Sequence, residues 1–143
     1  MDPWQGFDGR LRDWFLAEVG QPSEVQRRAW PLIAGGGHCL LTAPTGSGKT
    51  FAACLWALER LLSGAWERGG LRLLYVSPLK ALGNDIQRNL AGPLAALRPR
   101  FGLGEGELRL GLRSGDTEPA ERARQARRPP EILVTTPESL NLM

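Results

Sequence analysis

The chain has 143 residues, 42% of them hydrophobic, which is enough for one domain with a buried core. No stretch approaches the ~18–20 apolar residues of a membrane span, and the polar start MDPWQGFDGR is unlike a signal peptide, so we expect a cytoplasmic protein with no membrane partner. The net charge is +3, and all of that excess lies in residues 98–128, where eight arginines face five acids. A solvated arginine-rich surface is the favoured interpretation of this charge, and a nucleic-acid patch is the alternative.

The first part of the chain predicts two helices, a strand and a third helix. A helix over 10–19 buries Leu11, Trp14, Phe15 and Val19, and a second helix starts at Ser23. A strand over 38–43 follows, and then a helix over 49–62 with one apolar face: Phe51, Cys54, Leu55, Leu58 and Leu62. Cys39 and Cys54 lie inside these apolar runs, which favours buried thiols over a disulfide or a metal site.

The rest of the chain alternates strands and helices. A buried strand over 71–77 precedes a helix whose apolar residues recur at spacings of three and four: Leu79, Leu82, Ile86, Leu90, Leu94 and Leu97. After the loop GLGEGE, strands over 107–114 and 131–136 enclose a charged helix over 117–128, and a last helix starts at PESL. The alternation predicts an α/β fold with a parallel sheet covered by helices on both faces.

Residues 43–50 read APTGSGKT and lie between the predicted strand 38–43 and the helix that follows. Gly46 and Gly48 let successive N–H groups turn toward an anion, and the start of the helix adds its positive dipole end. Lys49 can reach the β- and γ-phosphates, and the Thr50 hydroxyl can ligate Mg²⁺. The pattern is a P-loop with Ala43 at its first position; the alternative is an ordinary glycine turn.

Two Ser/Thr-Pro pairs follow predicted strands in the same way as the P-loop does. In SPLKAL, Ser77 can cap a helix that begins at Pro78, and TTPESL repeats this arrangement after the strand 131–136. Lys80 is one of only two lysines among 18 basic residues, which suggests a phosphate contact, although a solvated side chain is the alternative. Helix starts at several strand ends would form a row of anion sites suited to a polymer of phosphates.

The order of these motifs resembles the first RecA-like domain of superfamily-two DNA helicases, and more narrowly the large helicase-related (Lhr) family. The segments that carry the resemblance are PSEVQRRAW, APTGSGKT, SPLKALGNDIQRNL, SGDT and VTTPESL, and the likeness extends over residues 7–143. It implies ATP and Mg²⁺ as cofactors and one strand of single-stranded or partly duplex nucleic acid, expected to be DNA, as partner.

The resemblance also implies roles for individual residues. Gln26 matches the Q motif, whose amide reads the adenine edge, although Ser23-x-x-Gln26 is also a capping box and both roles are compatible. The cofactor residues would be Gln26, Thr45, Gly46, Ser47, Gly48, Lys49 and Thr50, with Lys49 and Thr50 catalytic and Thr50 on the metal. The nucleic-acid residues would be Pro78, Lys80, Ser114, Gly115, Asp116, Thr135, Pro137 and Glu138.

Two parts of the family pattern are absent from these 143 residues. No apolar strand ends in Asp-Glu, the pair that holds Mg²⁺ and orients the attacking water, and no second RecA-like domain supplies an arginine finger. The resemblance therefore implies a RecA-like sheet that is incomplete at its C-terminus. Residues 1–30 would be N-terminal helices with the Q-motif-like segment, and residues 31–143 a partial ATP-binding domain whose partner is the remainder of a helicase chain.

Three functions follow from these observations. The favoured one is the amino-terminal part of an ATP-dependent DNA helicase or translocase. The second is a P-loop enzyme of another class, such as a nucleotide kinase or GTPase, which is disfavoured because no Asn-Lys-x-Asp guanine reader is present. The third is a nucleic-acid-binding module that kept the fold and lost turnover.

We predict that residues 1–143 alone hydrolyse no ATP and do not fold stably. In the implied RecA-like sheet, two further strands lie between the P-loop strand and the other three, so the strand 38–43 would have no neighbour for its N–H and C=O groups. Loss of the centre of a sheet should exceed the ~5–15 kcal/mol by which a domain is stable. Circular dichroism and thermal unfolding of residues 1–143 test this, and a cooperative transition of a monomer would contradict the strand order.

Overall fold

The computed structural model describes residues 2–44, 46–78 and 86–143, and the contacts divide the chain into two compact units. The first unit is Met1–Ser63 and the second is Gly64–Met143. The boundary between the two units therefore lies between Ser63 and Gly64. The predicted domain boundary after residue 30 was drawn from sequence motifs, and it stays a prediction.

Three helices build the first unit: α1 is Gly9–Glu18, α2 is Glu24–Ala34 and α3 is Lys49–Ser63. The Asp8 carboxylate caps α1 by accepting a hydrogen bond from the Arg10 N–H at 2.8 Å, and Ser23 caps α2. All three predicted helices are therefore confirmed. Val19 is an exception to the predicted apolar face, because it follows the last residue of α1 and is 46% exposed.

Aromatic side chains form the core of the first unit. Trp4 and Phe7 both contact Trp30, with ring centroids 5.0 and 5.2 Å apart, and Phe15 lies 5.7 Å from the same indole. Most of these pairs meet edge to face, the geometry that aromatic quadrupoles favour. The core fixes α2 against α3, and α3 carries the P-loop at its first residue.

The predicted strand over 38–43 is wrong, because these residues form neither a strand nor a helix. A strand needs a neighbour for its backbone groups, and the strands in the described part of the chain pair only with one another. Leu40 is 89% exposed and the thiol of Cys39 is exposed, against the prediction that it is buried. Cys54 is buried as predicted, and its burial in α3 raises the pKa of the thiol to about 12.

A three-stranded parallel sheet organises the second unit. The strands are β1 (Leu73–Val76), β2 (Leu110–Arg113) and β3 (Ile132–Thr135), and β3 lies in the middle. This arrangement confirms the predicted α/β class with a parallel sheet. The strands are shorter than predicted, and β1 is not fully buried, because it is an edge strand whose Leu74 and Val76 are each 42% exposed.

The connecting segments of the second unit are helical. Residues 79–85 of the predicted helix, with Leu79 and Leu82, lie outside the described residues. Its later residues Ile86, Leu90, Leu94 and Leu97 are buried as predicted. Ile86 directly precedes a π-helix (Gln87–Ala91) that continues into α4 (Gly92–Leu97) and a 3₁₀ turn (Arg98–Phe101). Helix α5 is Pro119–Arg127 and α6 is Pro137–Asn141. Within the described ranges, no helix is long and apolar enough to cross a membrane.

Glu131 joins the beginnings of all three strands. Its carboxylate accepts hydrogen bonds from the N–H of Arg109 at 2.7 Å, before β2, and from the N–H of Gly69 at 2.9 Å, before β1. Its carbonyl accepts from the N–H groups of Arg72 and Leu73. Burial alone would raise the pKa of the Glu131 carboxyl, but the backbone N–H donors and nearby Arg109 hold that pKa below its ordinary value.

We predict that Glu131→Gln destabilises the sheet by about 1–3 kcal/mol, because an amide cannot accept from two buried N–H groups as a carboxylate does. The lowered pKa means that the stabilisation by Glu131 is fully present above the unfolded pKa of ~4.3 and is lost as pH falls through the folded pKa. Thermal unfolding of the full-length protein at pH 7, and then as the pH is lowered from about 4 through the folded pKa, measures both effects. The exposed Glu67→Gln is the control, and equal losses in the two variants would contradict the assignment.

Candidate nucleotide and nucleic-acid site

The glycines of the P-loop adopt the backbone that the sequence predicts. Gly46 has φ of 85° and Gly48 has φ of 82°, both in the left-handed region where a side chain is strained. A Cβ on Gly46 would enter open space, with no atom within 4 Å, whereas a Cβ on Gly48 would lie 2.3 Å from the Gln26 amide nitrogen. Gly46 therefore leaves room beside the loop, and Gly48 allows α2 to approach its backbone. Thr45 lies outside the described residues.

Among the described residues, nothing accepts a hydrogen bond from the N–H groups at the start of α3. Both the N–H and the hydroxyl of Ser47 donate to the Pro44 carbonyl, at 3.2 and 2.6 Å, which closes the turn before the helix. The first N–H groups of a helix, here those of Lys49 and Thr50, have no acceptor inside it. The Lys49 side chain is exposed and that of Thr50 is half-buried.

This loop fits the phosphates of a nucleotide. Three features favour a di- or triphosphate anion as the ligand: the open position beside Gly46, the N–H groups at the start of α3, and the exposed ammonium of Lys49. Mg²⁺ held mainly by phosphate oxygens and water needs only one or two protein ligands, and the Thr50 hydroxyl can serve as one.

Gln26 connects the capping box to the P-loop. Its Oε1 accepts a hydrogen bond from the Ser23 N–H at 2.9 Å, and Ser23 Oγ accepts from the Gln26 N–H at 3.4 Å, which confirms the predicted capping box. The Gln26 Nε2 donates to the Gly48 carbonyl at 3.1 Å. The side chain is only 3% exposed, so the amide is committed at both ends to backbone groups.

Trp30 makes a second contact of the same kind, which was not predicted from the sequence. Its indole N–H donates to the Phe51 carbonyl at 3.0 Å, one helical turn beyond the contact of Gln26 with Gly48. The available signal was the spacing of Gln26 and Trp30, which are four residues apart on one face of α2, together with the need of a buried indole N–H for an acceptor. Two side chains of α2 thus fix the first turn of α3.

In the second unit, the predicted nucleic-acid residues gather at the carboxyl edge of the sheet. The turns at Ser114 and Thr136 follow the adjacent parallel strands β2 and β3, and Thr135 Oγ1 donates to the Arg113 carbonyl at 2.8 Å. A cavity of about 290 Å³ opens there, with Gly115, Thr136 and Glu138 in its wall. Pro78 is exposed after β1 at the same edge, and Lys80 lies outside the described residues.

Both turns are held by local hydrogen bonds. Thr136 Oγ1 accepts from the Ser139 N–H at 3.1 Å, and Pro137 is the first residue of α6, as predicted. Thr117 Oγ1 accepts from the Ser114 N–H at 2.8 Å, and Ser114 Oγ accepts from the Asp116 N–H at 3.3 Å. The Arg122 guanidinium, a contact that the sequence did not reveal, donates to the carbonyls of Ser114 and Gly115 at 3.0 and 3.1 Å.

The model of the DEAD/DEAH box helicase family matches residues 23–143, which include the P-loop and both carboxyl-edge turns. The chain belongs to the DEAD/DEAH box helicase family. Among relatives, the Lhr helicase/uracil glycosylase of Escherichia coli (strain K12) is 50% identical over 96% of this chain and 10% of its own length. The ATP-dependent helicase Lhr-Core of Methanothermobacter thermautotrophicus is 40% identical over 100% of this chain and 16% of its own length.

Solved structures of helicases match the fold as well. The structure of Mycobacterium smegmatis helicase Lhr bound to ssDNA and AMP-PNP has a TM-score of 0.84 and 44% identity, and the match covers 100% of this chain and 18% of that chain. The RecA-like α/β fold implied by the resemblance is thereby confirmed, as is the likeness to Lhr helicases. This DEAD/DEAH box chain spans about a tenth of the length of the Escherichia coli relative.

We predict that Gln26 positions the P-loop of this helicase chain in addition to any contact with a base. Gln26→Met keeps the length of the side chain and adds no charge beside the phosphates, but it removes the acceptor for the Ser23 N–H and the donor to the Gly48 carbonyl. An unpaired buried group costs about 1–3 kcal/mol, so nucleotide affinity should fall roughly 5- to 150-fold. Binding of a fluorescent ATP analogue and competition by tripolyphosphate, measured on the full-length protein, test the two roles separately.

Loss of affinity for both ligands supports positioning of the loop, because tripolyphosphate has no base. Loss for the ATP analogue alone would mean that Gln26 reads adenine and does not position the loop. Ser23→Ala is the matched control, since it removes the hydroxyl cap of α2 but leaves the contact between Gln26 and Gly48 in place.

Proposed function

We propose that this chain forms the ATP-binding part of an ATP-dependent helicase or translocase. The observation that carries the proposal is the P-loop itself: two glycines at positive φ precede α3, and Gln26 and Trp30 hold its first turn. A solved relative that is 44% identical is bound to ssDNA and AMP-PNP, which supports the proposal.

In this proposal, the first residues of α3 receive the phosphates of ATP–Mg²⁺. Lys49 places a positive charge beside the β- and γ-phosphates, and the Thr50 hydroxyl ligates Mg²⁺. The N–H groups of Gly46, Gly48 and Lys49 add fixed donors that need no reorganisation when charge develops. Gln26 would complete the cofactor site by reading the adenine edge, as its match to the Q motif implies, with Thr45 and Ser47 in the phosphate loop. Bound ATP supplies the phosphoryl group whose transfer to water releases the free energy.

Nucleic acid would cross the carboxyl edge of the sheet in the second unit. The turns after β2 and β3 offer hydroxyls and backbone N–H groups to a phosphate backbone, from Ser114, Gly115, Asp116, Thr135, Pro137 and Glu138. Pro78 and Lys80 would add contacts after β1. Such contacts carry no base information, so a helicase can move along any sequence. We propose DNA as the nucleic acid, and a second RecA-like domain as the partner that completes the ATP site.

The other functions are less well supported. A nucleotide kinase or GTPase is disfavoured by the helicase family match over residues 23–143. A nucleic-acid-binding module without turnover has the same fold, and only a measurement of ATP hydrolysis by the full-length protein separates it from the helicase.

We predict that Lys49→Ala lowers ATP hydrolysis by the full-length protein at least ~10²–10³-fold, because the lost charge acts on the transition state more than on the ground state. Steady-state phosphate release with saturating single-stranded DNA measures the effect. Arg12→Ala, which removes an equal charge from the exposed face of α1, serves as the control and should hydrolyse ATP at the wild-type rate.

A nearly normal rate of ATP hydrolysis by Lys49→Ala would contradict the assignment of the ATP site. A wild-type protein that binds single-stranded DNA and hydrolyses no ATP would instead support the module without turnover.

A further inference from the structure

The eight arginines of residues 98–128 all lie in the described part of the chain, and they have different roles. Arg98, Arg109 and Arg122 donate to backbone carbonyls, and Arg124 pairs with Glu121 at 2.6 Å. Four remain: Arg100, Arg113, Arg127 and Arg128. Half of the eight arginines are therefore held by contacts within the protein, which the interpretation as a solvated surface does not explain.

Of the four remaining arginines, Arg113 lies at the carboxyl end of a strand. It is the last residue of β2, level with Thr135 in β3 and Val76 in β1. Arg127 and Arg128 line a different cavity of about 450 Å³, beside Arg109 and Pro130, which precede β2 and β3. Arg100 lies in the 3₁₀ turn before β2. The position in the sheet thus distinguishes Arg113 from the other three.

The backbone of Arg113 is held firmly while its guanidinium is available. The Arg113 carbonyl accepts the hydrogen bond from Thr135 Oγ1, and Thr135 is fully buried. The side chain lines the 290 Å³ cavity with Thr136 and Glu138, and no hydrogen bond or ion pair joins its guanidinium to another described residue. Arg122 lines the same cavity, but its terminal nitrogen is committed to the turn at Ser114.

We propose that Arg113 contacts a backbone phosphate of the nucleic-acid strand that crosses the carboxyl edge. A planar guanidinium can donate two parallel hydrogen bonds to one phosphate, and a fixed strand end limits the entropy lost on binding. The inference rests on the proposed function, because it assumes that a strand occupies this edge. It adds an ionic contact to an edge whose motif residues offer mainly hydroxyls and N–H groups.

The test is the salt dependence of single-strand binding by the full-length protein. Fluorescently labelled oligothymidylate is titrated at several salt concentrations between 50 and 200 mM, and a mixed-sequence strand of equal length is titrated in parallel. Each phosphate contact contributes roughly 0.7 to the slope of log K against log salt for single strands. Arg113→Ala should lower the slope by that amount, so the fourfold rise in salt should cost the variant about 2.6-fold less affinity than the wild type.

Three further variants sharpen the test. Arg113→Lys keeps the charge and should keep the slope with a lower affinity, whereas Arg113→Gln keeps most of the side chain and should lose the slope. Arg127→Ala removes the same net charge from the other cavity and should leave the slope unchanged. If Arg113→Ala proves misfolded by circular dichroism, the Lys and Gln variants carry the comparison.

Equal slopes for the wild type and Arg113→Gln would overturn the assignment, as would equal slope losses in Arg113→Ala and Arg127→Ala, which would report overall charge alone. A loss confined to one base sequence would also overturn it, since a phosphate contact is indifferent to sequence. If the wild type itself binds neither strand, the proposed function fails and the role of Arg113 fails with it, whereas normal binding by the wild type with an unchanged slope in Arg113→Gln overturns the role of Arg113 alone.

Discussion

The sheet of the second unit depends on one buried carboxylate. Glu131 accepts hydrogen bonds from N–H groups that precede β1 and β2 while its own residue precedes β3, so it fixes the relative height of the three strands. Since parallel strands of equal length end together when they begin together, this contact also aligns the turns at the opposite edge. The amino edge thereby stabilises the sheet, and the carboxyl edge is the one at which ligands bind in open α/β sheets generally.

In the first unit, too, one set of backbone groups is held by hydrogen bonds and another is not. Gln26 and Trp30 donate to carbonyls of the first turn of α3, and those carbonyls point away from the helix start. The N–H groups of the same turn point the other way, toward the P-loop. The protein therefore restrains the turn through its carbonyls, and the N–H groups of Lys49 and Thr50 have no partner among the described residues.

Local signals predicted much of this structure, and contacts between distant residues account for what they missed. The capping box at Ser23, the apolar face of α3 and the glycines of the P-loop follow from neighbours in sequence, and all were predicted. The strand over 38–43 failed because pairing depends on a neighbour elsewhere in the chain, and the exposure of Cys39 follows from that failure. The contact of Trp30 with Phe51 and the cavity at Arg113 join residues about twenty positions apart. The spacing of apolar residues along one helix or strand cannot predict such contacts.

Arginine contacts with backbone carbonyls constrain how this region can evolve. Arg98 donates to the Leu108 carbonyl, Arg109 to that of Pro129, and Arg122 to those of Ser114 and Gly115. Every residue type offers a carbonyl, so the loops that accept these bonds can drift in side-chain identity without losing them. An insertion or deletion would move the acceptor by more than 3 Å, beyond the reach of a directional bond. These contacts should therefore keep the loops uniform in length among homologues, while other roles, such as the burial of Leu108, set which side chains the loops carry.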